Sequence, residues 1–164
     1  MREHFEQMVA YNAWANERLY AAAGKLPNDR LMADVGAYFD SVFGTLTHVL
    51  IADRIWMHRL TGEGPTHTEL RDRHFATLSD LQAERRAMDQ RIADFVASLA
   101  ETDFPAAVNY HNMAGAPHRL PRQAILSHVF NHQTHHRGQV HHMLSVEGVD
   151  PPPLDLLYFM LPAA

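Results

Sequence analysis

Residues 78–100 read LSDLQAERRAMDQRIADFVASLA, and the spacing of their apolar side chains decides the fold. Leu78, Leu81, Met88, Ile92, Phe95 and Leu99 recur at steps of three and four, interrupted at a core-type position only by Arg85. That is the period of a single helix face, and a helix with one apolar stripe must bury it against other helices. Three more stretches share the property. Residues 2–24 put Phe5, Met8, Val9, Asn12, Asn16, Leu19, Tyr20 and Ala23 on one face before Gly24 and Pro27 stop the pattern. Residues 40–60 run up to TGEGP, and their face centred on His48 also carries Ser41, Gly44, Thr45, Ile51, Ala52 and Ile55. The last segment opens on Pro121, suited to a first helical turn, and ends near Gly148 before DPPP. Its expected inward face collects Ile125, His128, Val129, His132, His136, Gln139 and Met143, with His135 at the edge. The intervening FPAAVNYHNMAGAPHRLP, with Val108 and Tyr110 alternating before a glycine-containing turn, predicts a short β-hairpin or a structured loop. The apolar tail PPPLDLLYFMLP is expected to pack back on the helices. The expected fold class is therefore all-α, a four-helix bundle forming a single domain over residues 1–164.

Composition narrows the function classes. The chain has 46% hydrophobic and 20% charged residues, as ordinary globular proteins do. Its net charge of −5 argues against a nucleic-acid partner. No apolar run reaches the roughly 18–20 residues of a membrane span, and the start MREHFEQM lacks an apolar signal stretch, so no membrane partner and a cytoplasmic location are expected. With no cysteine, the chain has neither thiolate ligands nor a nucleophilic thiol of its own. Any sulfur chemistry would need a thiol from outside.

Histidine is the unusual residue, 13 of 164, and five fall within NHQTHHRGQVHH at residues 131–142. His132 and His136 are four apart, so on a helix both rings leave one face and can meet a divalent ion at about 2.0–2.1 Å. His48 is the histidine of the second segment that sits amid apolar and small residues, and Gly44 one turn earlier is expected to leave room beside it. Singly, each has a plainer reading: an H-x-x-x-H pair arises by chance in such a chain, and a buried histidine is as readily a neutral core side chain. His128 is expected in the core or just behind the cluster, His135 at its rim, and His141 and His142 in solvent. His4, His58, His67, His74, His111 and His118 lack a partner at ligand spacing and are expected at solvent or loop positions.

The donor types restrict the metal. No Glu-x-x-His pair supports a di-iron bundle, and Gln133 stands where an H-E-x-x-H protease needs its glutamate. Three neutral imidazoles suit zinc or nickel, with iron and copper left open, and three protein ligands leave one coordination position free. Asn12, Asn16 and Gln139 are expected either to orient the ligands and line the pocket or to bond to one another across the bundle. Gly138 is expected to permit close helix approach, and Arg137 to pair with a carboxylate or an anionic ligand. Tyr11, Trp14 and Trp56 read as packing or interface aromatics.

YNAWANERL at 11–19, GTLTHVLIADRIWMHRLTG at 44–62 and HVFNHQTHHRGQVHHML at 128–144 together resemble the DinB family, the bacterial damage-inducible proteins distinct from the DNA polymerase of that name. The likeness extends over essentially the whole chain. It implies an up-down-down-up four-helix bundle and a three-histidine metal site, whose first ligand matches His48 and whose H-x-x-x-H-R-G-Q motif matches His132 and His136. The family is similar in fold to bacillithiol- and mycothiol-dependent transferases and isomerases, in which a metal presents a bound thiol as thiolate. The resemblance thus implies a metal-dependent thiol transferase taking a low-molecular-weight thiol and an electrophile, in a homodimer. The alternatives are a metal-dependent hydrolase and a non-catalytic stress-response metal-binding module. A closed structural site would need a fourth ligand, with His128 or His135 as the candidate.

Overall fold

Glycines, prolines and hydroxyl caps turn the periodic segments into helices with definite ends. A computed structural model describes residues 1–71 and 75–161; His74, expected at a loop position, lies outside them. Helix α1 spans Arg2–Ala23 and stops at Gly24, and a short α2, Asn28–Met32, follows in the connection. Helix α3, Val42–Thr61, starts where the Ser41 hydroxyl accepts the Gly44 N–H at 3.0 Å and ends at Gly62, whose φ of 76° is left-handed. Helix α4, Leu78–Ser98, is capped by Thr77, whose Oγ1 accepts the Asp80 N–H at 3.1 Å. Strands β1, Ala107–His111, and β2, Pro117–Pro121, form an antiparallel hairpin that pairs Val108 with Leu120. Helix α5, Arg122–Val146, and the short α6, Leu156–Met160, complete the chain. The four long helices match the expected segments to within a few residues, and the hairpin is formed.

Side-chain partners give the helix directions. Arg2 at the start of α1 donates to the Ala97 carbonyl near the end of α4, and Glu17 pairs with Arg86, so these two helices are antiparallel. Asp53 with Arg85 and Thr61 with Arg91 advance together, making α3 and α4 parallel. Helix α5 runs against α3, with His48 beside His132 and Trp56 beside His128, and along α1, with Phe5 against Phe130 and Asn12 against Arg137. The order is therefore up-down-down-up. Among the described residues no helix is long and apolar enough to cross a membrane.

The core holds Phe5, Leu19, Leu50, Leu81, Ile92, Phe104, Ile125 and Leu144. Full burial of such a side chain contributes roughly 1.5–3 kcal/mol. A polar layer crosses this core. Arg85 Nη1 donates to Asp53 Oδ2 at 2.6 Å, and its Nη2 lies 3.0 Å from Asp89 Oδ1. Asn12 and Asn16 each donate to Asp89 at 3.1 Å; Arg137 donates to Asn12, Asn16, Gln133 and Thr134, and Gln133 donates to Asp53. Two acids and two guanidiniums thus join the four long helices.

That layer corrects several expectations. Asn12 and Asn16 serve Asp89 and Arg137, not the histidines, because a buried carboxylate without donors is costly. Arg137 accordingly meets amides and a hydroxyl rather than a carboxylate. The buried face of α5 is turned relative to the expected one: Leu126, Phe130, Gln133, Arg137, Val140 and Leu144 are inside, and His128 is exposed. Large apolar side chains and the pull of Asp53 on Gln133 set that face, leaving the histidine stripe along its edge. Gly138 faces open space, so no close helix approach uses it. The tail packs only in part. Phe159 meets Tyr11 and Trp14 edge-on, while Leu157, Tyr158, Met160 and Leu161 are exposed.

Candidate metal centre

Helix α3 presents His48 with 4% of its surface exposed, its ring stacked on Phe39 at 3.7 Å between centroids. Helix α5 presents the buried His136 and the half-buried His132 one turn apart, their rings 4.3 Å from each other. The three meet through one kind of atom. His132 Nε2 lies 3.2 Å from His48 Nε2 and 3.1 Å from His136 Nε2. Two imidazole nitrogens bound tetrahedrally to one ion at about 2.0–2.1 Å lie roughly 3.3 Å apart, so the cluster has the dimensions of such a site.

Tautomers sharpen the fit. His136 Nδ1 lies 2.7 Å from Gln139 Oε1, and His48 Nδ1 lies 3.4 Å from the Leu70 carbonyl oxygen. Both partners only accept, so the hydrogen of each neutral ring sits on Nδ1 and each Nε2 offers a lone pair to the centre. His132 Nε2 can donate a hydrogen to one neighbour, not to both. A cation satisfies all three. Protonation is a poor substitute, because burial, with neighbouring histidines adding to it, draws His48 down to about 4 and His132 down to about 3. Burial lowers His136 as well, with Gln139 opposing it. The rings are therefore neutral near pH 7, the form that binds metal.

The surroundings divide the remaining expectations. Gln139 orients His136, as expected of it. The room expected beside His48 from Gly44 is taken by the Phe39 backbone: a Cβ at Gly44 would stand 2.1 Å from the Phe39 carbonyl oxygen. Gly44 thus serves the site indirectly, by letting the ring that covers His48 come close. His128 packs against Trp56 at 4.9 Å, and His135 Nε2 is 3.3 Å from Gln139 Nε2. Neither joins the three-nitrogen cluster. Phe39 and the Leu70 carbonyl escaped sequence reading because both lie outside the periodic helices, and a backbone acceptor leaves no residue signature. Behind Phe39 a recess of about 110 Å³ is lined by Phe43, Thr47, Arg71 and Phe75 among others.

Known proteins share this framework. The DinB family model matches residues 1–163. Protein DinB of Bacillus subtilis is 23% identical over 155 residues, covering 91% of this chain and 89% of that protein. The crystal structure of a DinB-like protein from Bacillus cereus is similar with a TM-score of 0.71 at 18% identity, over 92% of this chain and 95% of that one. A second DinB-like crystal structure, from Bacillus subtilis, gives 0.67 at 14% identity, over 91% and 98%. A family match running from end to end, on a fold that two solved relatives share, means that the chain belongs to the DinB family.

Proposed function

We propose that His48, His132 and His136 hold one divalent cation, zinc or nickel being the ions best suited to three imidazoles, and that the protein transfers a low-molecular-weight thiol to an electrophile. The observation that carries the metal reading is the pair of lone pairs fixed by Gln139 and Leu70 and turned toward a third imidazole nitrogen 3.1–3.2 Å away. A bound cation would supply the positive charge that keeps a sulfur in its thiolate form near neutral pH. The protein's own residues do the rest: three rings grip, Gln139 and Leu70 hold two of them in register, and Phe39 shields His48 from water.

Three features support a catalytic over a structural or hydrolytic reading. The cluster has three members, leaving a position for an external ligand. It contains no carboxylate among the described residues, so a general base for water is missing from it. The chain has no cysteine that would compete for the ion. Elemental analysis of protein purified without a histidine tag tests the first step. About one equivalent of metal is expected in the wild type and little in His48→Ala or His132→Ala; unchanged content in the variants would remove the basis of this reading. Thiol transfer to a panel of electrophiles, with and without chelator, tests the second: activity should vanish with the metal and return on its readdition.

A further inference from the structure

A second recess lies apart from the three imidazoles, between the end of α3, the chain after Gly62 and β1. Its volume is about 460 Å³, and its lining includes Arg59, His58, His67, His111, Tyr110 and Asn109. No carboxylate is among the described residues that line it, although the chain carries a net charge of −5. Arg59 is the one permanently charged side chain among the described residues that line it.

Arg59 is its distinctive member. The guanidinium carbon lies 4.6 Å from the centroid of the Trp56 ring and 5.2 Å from that of Tyr110, so two aromatic faces hold it. Among the described residues it has neither a hydrogen-bond acceptor nor a carboxylate partner. Every other described arginine that is at least half-buried has one: Arg2 the Ala97 carbonyl, Arg54 Glu84, Arg85 Asp53, Arg91 the Glu63 carbonyl, Arg122 the Asp103 carbonyl and Arg137 its amides. Burial also draws the Arg59 pKa below the usual guanidinium range. A partly desolvated cation with unused donors, fixed on a rigid platform, is an arrangement that an oxyanion completes, because the planar fork matches a carboxylate or phosphate edge.

We propose that this groove binds a small molecule bearing a carboxylate or phosphate, with Arg59 as the anchor and His111 and Asn109 as flanking donors. The site is independent of the metal reading. Trp56 links the two regions, its ring touching Arg59 and that of His128, which is 5.9 Å from the ring of His132.

Full-length, untagged, chelator-treated protein titrated with inorganic phosphate and separately with succinate, followed by NMR at the Trp56 indole N–H and the His111 ring, tests the proposal. Saturable shifts with either anion are expected, and the stronger of the two names the ligand class. Affinity should fall at least ten-fold in Arg59→Gln and less in Arg59→Lys. It should stay unchanged in Arg18→Gln, which alters an exposed arginine stacked on Trp14. His48→Ala should keep the anion while losing the metal, which separates failure of this site from failure of the metal centre. Absence of saturation with both anions, undiminished binding in Arg59→Gln, or shifts confined to His132 and His136 would overturn it. Should Arg59→Gln fail to fold, the wild-type shift map and Arg59→Lys still decide the outcome.

Discussion

An imidazole can serve a central cation through only one of its two tautomers, and for His136 the choice rests on a single amide oxygen, Gln139 Oε1. Gln139→Leu keeps the size and removes the acceptor. We expect metal affinity to fall by roughly 10–100-fold with little change in folding, measured by competition against a chromophoric chelator. An unchanged affinity would mean that the ring needs no such guide. His132, His136 and Gln139 were legible in the sequence because helical spacing puts them on one face of α5, and His48 because it stands amid the apolar and small residues of α3. Asn12 and Asn16 were not, since the identity of a partner on another helix is absent from the periodicity of their own. They look like ligand guides until Asp89 and Arg137 come into view.

Among the helices, α5 does two jobs with adjacent residues. His132 and His136 face the centre, while the residues that follow each, Gln133 and Arg137, enter the polar layer and tie α5 to α3 and α1. The contacts that set the register of α5 against α3 thus sit one residue from the atoms that must converge. Arg85 is the hinge pin of this layer, fully buried between Asp53 and Asp89. Removing one partner of a buried ion pair strands the other, so Arg85→Ala is expected to cost about 3–5 kcal/mol in urea denaturation. A loss below 1 kcal/mol would show that the two carboxylates find other donors. The four long helices were readable from steps of three and four, from Gly24 and Pro27, and from TGEGP, and the hairpin, as one of two alternatives, from the alternation of Val108 and Tyr110; the short helix α6 was not. Arg85 was visible only as a break in the stripe of α4, because its partner Asp53 lies on α3.

For the whole molecule, the buried imidazoles make stability depend on pH in a definite sense. In the unfolded chain they take up protons near 6.5; folded, burial holds His48 near 4 and His132 near 3. Between those limits these rings bind more protons in the unfolded state, so their contribution to stability falls as pH drops from about 6.5 toward 4, while Asp53, pushed up to about 6 by burial, contributes in the opposite sense over the same range. Urea midpoints of chelator-treated protein at pH 7.5, 5.5 and 4.5 should therefore shift toward lower stability at low pH more in the wild type than in His132→Ala, and identical pH profiles of the two proteins would contradict a neutral buried ring. The Leu70 carbonyl that steadies His48 belongs to the irregular stretch between α3 and α4, not to a helix. One of the three rings is therefore latched by a backbone carbonyl that no helix holds, and losing that single hydrogen bond would free the ring to turn. Turning of the ring and release of an ion would then share one rate, slower than exchange from an open cleft and faster than global unfolding.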